Sequence, residues 1–265
     1  MNNTAEKSKQ NTEVCYSLRV LRRAPEADWR CLGFPPAGAG PMFFQSWRDV
    51  LSERFQLEAI NLPGREMRMT EPMPQTMGAL VEEVFARIVE SLEPDPRPVL
   101  MFGHSFGGLL AYEVLRLFSE RGVRHPVAFC VSAHCAPMFR TPVGALHRLD
   151  DDSLVSVLQR FDGVPQELRD NKEFLAMCLP VIRGDLQLDY ASPLRTNNKI
   201  DQPILIVAGR DDHVAPLEFM RGWESMTSGH RQFISFPGHH FYLLAQLKSV
   251  MAELERFSER VFKKN

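Results

Sequence analysis

The stretch "VLMFGHSFGGLLAYEVL", residues 99–115, decides the fold. Its opening run is apolar without alternation, as in a strand buried on both faces. From Phe106 onward the apolar residues recur at helical spacing. Between the two lies Gly103-His104-Ser105-Phe106-Gly107, a G-x-S-x-G sequence. Where a strand turns directly into a helix, such a sequence cramps the serine backbone and uses glycines to let strand and helix approach. The serine oxygen then stands above the sheet edge. The N–H of Phe106 at the helix start is available to an anionic oxygen. The plainer reading is a glycine-lined helix start with Ser105 as its cap.

Working outward, "WRCLGFPP" (29–36), "QLEAINLPG" (56–64), "PVAFCVSAH" (126–134) and "QPILIVAGRDD" (202–212) read as further strands. "MFFQSWRDVLSERF" (42–55) has helical periodicity. "TMGALVEEVFARIVESL" (76–92) places Met77, Leu80, Val81, Val84, Phe85 and Ile88 on one helical face. The helix that begins at Phe106 ends at Gly122. Continuous apolar strands alternating with helices predict an α/β protein with a mostly parallel central sheet covered by helices on both faces. Residues 137–200 break the alternation, with no convincing buried strand. They are read as a helical insertion packed over one end of the sheet, a candidate lid, with plain extra core helices as the alternative. The division is a polar tail over 1–14 and one domain over 15–265.

The bulk composition excludes several classes. With 31 Lys and Arg against 33 Asp and Glu, the net charge of −2 gives no field directed at nucleic acid or anionic membranes. No apolar run approaches a membrane span. The tail "MNNTAEKSKQNTEV" has no secretory core, so a cytoplasmic location is expected. The five cysteines, Cys15, Cys31, Cys130, Cys135 and Cys178, are scattered and read as reduced thiols. "CVSAHC" (130–135) sets a histidine beside two cysteines, but no fourth ligand is apparent and no metal is expected.

A serine hydroxyl needs a base, and the base needs an acid to orient it. In folds of this kind the chain order is serine, acid, histidine. "ILIVAGRDDHVAP" offers Asp212, with Asp211 as the alternative, just past a strand. "SFPGHHFYLLAQ" offers His239 and His240; His240 is preferred because it leads directly into an apolar helix start. His104 and His213 are read as neighbours without a chemical role. A second oxyanion donor is expected from "GFPPAGAG" (33–40). Pro35 and Pro36 carry no N–H, so Ala37 is the first available donor.

Together "FPPAGAG", "NLPGREMRMTEP", "GHSFGG", "QRFDGVPQEL", "LPVIRGDLQLDY", "GRDDHVAPLEFMRGW" and "PGHHFYLL" resemble the type II thioesterases, stand-alone α/β-hydrolases that work beside polyketide, nonribosomal peptide and fatty acid synthases. The resemblance runs from about Trp29 to the C-terminal helix. Its more discriminating parts are "LPGRE" and the spacing of Pro180, Arg183 and Asp185. It implies the α/β-hydrolase fold, a nucleophile at Ser105, an acid at Asp212, a base at His240, and oxyanion N–H groups at Ala37 and Phe106. It also implies hydrolysis of acyl thioesters from the phosphopantetheine arm of acyl or peptidyl carrier proteins, for editing or release, without a cofactor of the enzyme's own. Pro36 departs from the bulkier residue usual in the family, and the His-Val after Asp212 keeps Asp211 open. Arg65 and Glu66 are expected either to pair with each other or to sit on a surface turn. Arg140, Arg148 and Arg183 are expected near the entrance, facing an acidic carrier. A carboxylesterase or a general acyl-thioester hydrolase would use the same residues.

Overall fold

The computed structural model describes residues 17–161 and 171–262. The tail over 1–14, Cys15 and residues 162–168 of the "QRFDGVPQEL" motif lie outside the described residues.

Among the described residues seven strands form one sheet: β1 (Leu18–Arg22), β2 (Trp29–Phe34), β3 (Phe55–Ile60), β4 (Val99–His104), β5 (Val127–Ser132), β6 (Ile204–Gly209) and β7 (Arg231–Phe236). Their order is β1-β3-β2-β4-β5-β6-β7, with β1 antiparallel to β3 and every other pairing parallel. β4 therefore lies at the middle of the sheet, and it feeds directly into helix α2 (Phe106–Glu120). Strands β2, β4, β5 and β6 are buried at every position. That is why they read as unbroken apolar runs. Successive β4 residues still serve opposite faces: Val99 and Met101 join one core, Leu100 and Phe102 the other.

On the first face pack α1 (Met77–Leu92) and α2; on the second pack the segment around Phe44 and Trp47 and the C-terminal helix. The apolar face read over 77–88 is the buried face of α1, whose N-terminus is capped by the Thr76 hydroxyl accepting from Ala79 N–H. The segment read as a helix over 42–55 is a 3₁₀ helix over Pro41–Asp49, and Phe55 already belongs to β3. Its buried residues, Pro41, Phe44 and Trp47, recur every third position. Three residues per turn puts all of them on one side, where 3.6 would splay them. The edge strands β1 and β7 lack a continuous apolar run, because each is only partly covered.

The connection from β5 to β6 carries a 3₁₀ turn at Leu146–Arg148, then α3 (Asp151–Arg160) and α4 (Lys172–Ala191), and no strand among its described residues between 137 and 199. These helices are shallowly seated. α3 buries Leu154, and the twenty residues of α4 bury Leu179, Asp185 and Leu188. Short helices α5 (Leu217–Arg221) and α6 (Tyr242–Ala245) precede the long α7 (Leu247–Phe262). Among the described residues no helix is long and apolar enough to cross a membrane.

At the end of the sheet remote from Ser105, the Arg30 guanidinium on β2 grips Glu58 on β3 with two bonds of 2.8 Å. Arg30 lies level with Val99, the first residue of β4, whereas Ser105 follows its last. Both side chains are buried, and removing the Glu58 charge leaves Arg30 only Asp95, at 3.7 Å, as a counter-charge. Glu58→Gln is expected to lower unfolding stability in urea titrations by up to about 3 kcal/mol, the low end for a broken buried pair, while the geometry around Ser105 is kept.

Candidate active site

Ser105 sits between β4 and α2 with φ 52° and ψ −127°, a backbone state costly for a residue with a side chain. The surrounding crowding imposes it. A Cβ on Gly103 would lie 2.3 Å from the Gly107 carbonyl oxygen, and one on Gly107 would lie 2.1 Å from that of Phe34. Strand, helix and the end of β2 thus meet backbone to backbone. Ser105 N–H donates to Ser132 O at 2.8 Å. Its hydroxyl makes no cap bond to α2, contrary to the capping alternative. Instead Ser105 Oγ lies 3.0 Å from His240 Nε2.

His240 Nδ1 donates to Asp212 Oδ2 at 2.9 Å, and Asp212 Oδ1 accepts from Val214 N–H at 2.8 Å and Ala215 N–H at 3.0 Å. The ring is thereby oriented with one nitrogen toward the serine. Burial would raise the Asp212 carboxyl, but the His240 hydrogen bond and charge, with the two backbone donors, outweigh it and hold the carboxyl below its ordinary range. Asp211 and His239 do other work. Asp211 Oδ2 accepts from Gly238 N–H at 3.3 Å, and His239 Nδ1 lies 3.0 Å from Asp211 O, so the exposed pair staples the two loops together.

His104 is fully buried beneath this array. Its Nδ1 lies 2.9 Å from Ser132 Oγ, which lies 2.6 Å from the Tyr242 hydroxyl. Burial, reinforced by nearby His240, pushes His104 down to about 3, so its ring is neutral. Ser132 is also fully buried and does not line the cavity that reaches Ser105. His213 lies in a cleft with His239 and His240.

In the loop after β2, Ala39 N–H donates to Pro36 O at 3.0 Å and Gly38 N–H donates to Asp185 Oδ2 at 2.8 Å. Of the first three amides after the prolines, only that of Ala37 has no acceptor among the described residues. Phe106, as the first residue of α2, lacks an intrahelical acceptor. Arg65 does not pair with Glu66. Its extended backbone turns the two side chains apart, and Arg65 binds Asp185 of α4 with bonds of 2.5 and 2.9 Å. Glu66 Oε1 accepts from Met42 N–H at 3.0 Å and its Oε2 lies 3.5 Å from Arg19. The role of Asp185 was not readable, because its partners are 120 and 147 residues away. The spacing of Pro180, Arg183 and Asp185 was the available signal.

A cavity of about 80 Å³ reaches Ser105, walled by Leu109, Val143, Leu146 and Leu186. The His134–Asp189 pair, also absent from the sequence reading, stands in its wall at 3.2 Å. Burial would lower the His134 value, but the Asp189 charge and hydrogen bond and the Cys135 carbonyl raise it above the ordinary range. Of the three arginines expected at the entrance, Arg140 and Arg148 are exposed, each with its guanidinium over the Tyr190 ring, at 5.5 and 5.6 Å from the centroid. Arg183 instead turns inward. It donates to His147 O and Leu149 O and pairs with Asp151, so it braces the insertion. Among the described residues no cluster of His, Cys, Asp and Glu could hold a metal ion.

Residues 31–258 match the thioesterase domain family model. The medium-chain S-acyl fatty acid synthase thioesterase of Homo sapiens is 29% identical over 237 residues, covering 86% of this chain and 85% of that protein. Thioesterase PikA5 of Streptomyces venezuelae is 28% identical over 246 residues, covering 92% and 86%. The solved structure of the type II thioesterase BorB from the borrelidin biosynthetic cluster superposes with a TM-score of 0.81 at 30% identity, covering 91% of this chain and 96% of that one.

The lowered Asp212 carboxyl has a consequence for acid stability. Folded Asp212 binds protons less readily than the unfolded residue. Its contribution is therefore complete above the ordinary carboxylate value of about 4 and is lost as pH falls through the lowered folded value. The stability difference between the wild type and Asp212→Asn is expected to shrink steadily below about pH 4 in urea unfolding series.

Proposed function

The chain belongs to the thioesterase domain family, and from that premise we propose that it hydrolyses acyl thioesters held on the phosphopantetheine arm of carrier proteins, with Ser105 as nucleophile. The observation that carries this reading is the unbroken hydrogen-bond chain from Ser105 through His240 to Asp212, opening on an apolar cavity. His240 Nε2 takes the hydroxyl proton as Ser105 Oγ adds to the thioester carbonyl. Asp212 keeps the ring in the required tautomer and stabilises the imidazolium that forms. The N–H groups of Ala37 and Phe106 receive the developing oxyanion. Collapse expels the thiol, which takes the proton from His240 and leaves an acyl-serine. A water, deprotonated by His240, then adds to that ester, and Ser105 departs with the proton as the free acid is released.

A thiolate leaves readily, so selection falls to the cavity and to docking. The apolar walls suit the acyl group. The insertion over 137–200 acts as the lid, and exposed Arg140 and Arg148 on it suit an acidic carrier surface. The phosphopantetheine arrives with the substrate, so the enzyme needs no cofactor. The relatives supply the setting, since one carries the name of a fatty acid synthase thioesterase and another that of a type II thioesterase from the borrelidin biosynthetic cluster. Removal of wrong or stalled acyl groups, or release of finished ones, follows. A cytoplasmic location suits such partners, as do the free thiols of Cys31, Cys130, Cys135 and Cys178.

Acid release from an acyl-loaded carrier protein, compared with the same acyl group on a small thiol and on an oxygen ester, tests the reading. Ser105→Ala is expected to reduce release by at least about 10³-fold, as loss of a serine nucleophile does, with the carrier thioester the best substrate of the wild type. Serine-dependent cleavage dominated by oxygen esters would replace the reading with a carboxylesterase. Equal rates on carrier and small thiol would leave a general acyl-thioester hydrolase.

A further inference from the structure

We infer that Asp185 is a positioning residue through which the seating of helix α4 assembles the oxyanion loop. The inference rests on the oxyanion role proposed for Ala37.

Asp185 is fully buried, and both of its oxygens are engaged. Oδ1 accepts from Arg65 Nη2 at 2.9 Å; Oδ2 accepts from Arg65 Nη1 at 2.5 Å and from Gly38 N–H at 2.8 Å. Arg65 in turn donates to Ala39 O and Pro63 O, each at 3.2 Å. The carboxylate therefore ties three segments distant in the chain: the loop after β2, the loop after β3, and α4. The contact with Gly38 bears directly on the chemistry. The Gly38 N–H bond fixes the peptide plane on one side of the Ala37 Cα, and the Ala39 N–H bond to Pro36 O at 3.0 Å holds the plane on the other side, which carries the Ala37 amide; with both in place the direction of that amide is set. Gly38 has φ +77°, and a Cβ there would lie 2.1 Å from Ile182 Cγ1, so α4 also presses on this residue from one turn away.

Few other contacts tie α4 to the sheet and its helices; outside the insertion, Asp189 pairs with His134 at 3.2 Å. Apart from Asp185 it buries Leu179 and Leu188. When α4 lifts, Asp185 leaves with it, Gly38 loses its acceptor, and Arg65 is left buried without its counter-charge. The oxyanion donors are complete only while α4 is down. Substrate entry past the insertion and activation of the carbonyl are thereby linked through one side chain, and an unseated helix gives an intact Ser105–His240–Asp212 array with a slack oxyanion loop.

The test compares Asp185→Asn, the paired Arg65→Met/Asp185→Leu variant that packs without a buried charge, and Glu58→Gln as a buried-pair control remote from the site. Four quantities are read on each: kcat and KM with a small-thiol acyl thioester, the rate of Ser105 labelling by a fluorophosphonate, and thermal unfolding. Both Asp185 variants are expected to lose about 10- to 100-fold in kcat and in labelling rate, within the range for weakened oxyanion donors. Their KM should change several-fold less than kcat, because the lost contact acts on the oxyanion loop before it acts on the cavity wall. Glu58→Gln should lose stability with kcat unchanged. Folded Asp185 variants with wild-type kcat and labelling rate would overturn the inference. Wild-type protein that labels but cleaves no thioester would reject the thioesterase reading, while the labelling comparison still decides the role of Asp185. A measurement on the unaltered protein needs no variant to fold. Hydrogen exchange of the Gly38 and Ala39 amides should share one opening rate with the middle of α4, and independent exchange of the two would also overturn the inference.

Discussion

The site depends on a crossing with no room for side chains. β4 and α2 meet through Gly103 and Gly107, and Gly107 lies against the carbonyl at the end of β2. This contact holds Ser105 in a backbone state that it would not choose alone. It also sets the start of α2 beside the loop that follows β2. The placement of the proposed nucleophile and of both proposed oxyanion donors follows from one packing contact between backbones. The sheet stiffens it from below, since β4 is hydrogen-bonded on both sides and its residues fill two cores.

Charge around this crossing is divided by depth. The lowest layer is neutral: His104, Ser132 and Tyr242 share hydrogen bonds in a fully enclosed space, and burial pushes His104 to about 3 and holds the Tyr242 phenol above its ordinary range. The layer above carries the Asp212 carboxylate, supplied with two backbone donors and an imidazole. A neutral floor matters because His104 and His240 lie 5.5 Å apart, centroid to centroid. A second positive ring there would oppose a positive charge on His240, which the proposed mechanism requires.

The parts of the molecule that could be read from sequence are those whose signal is local. The central strands are buried on both faces, so each is one unbroken apolar word. Ser105, Asp212 and His240 follow strand ends within short distinctive runs. Edge strands β1 and β7 were missed because half-covered strands carry polar residues. The segment at Pro41–Asp49 was read with the wrong period, since its three buried residues repeat at three and not at 3.6. The Arg65 partner was the hardest case. Sequence proximity suggested Glu66, but the extended backbone turns neighbours apart, and the true partner is 120 residues distant. Arg183 misled for a related reason: a charged residue on a surface insertion looks free, but this one donates to the carbonyls of His147 and Leu149.

The wide spacing of these contacts along the chain bears on how the protein comes to be active. Ser105 meets His240 across 135 positions and Gly38 meets Asp185 across 147. Parallel strand pairing adds more such distant closures, which a chain forms slowly because each must overcome a large loop entropy before any contact rewards it. No fragment ending before His240 can hold the array, so under the proposed roles a nascent chain is inert until that residue is made. Recovery of activity after denaturation then tracks the final docking steps, and early collapse of the central strands leaves no trace in the assay.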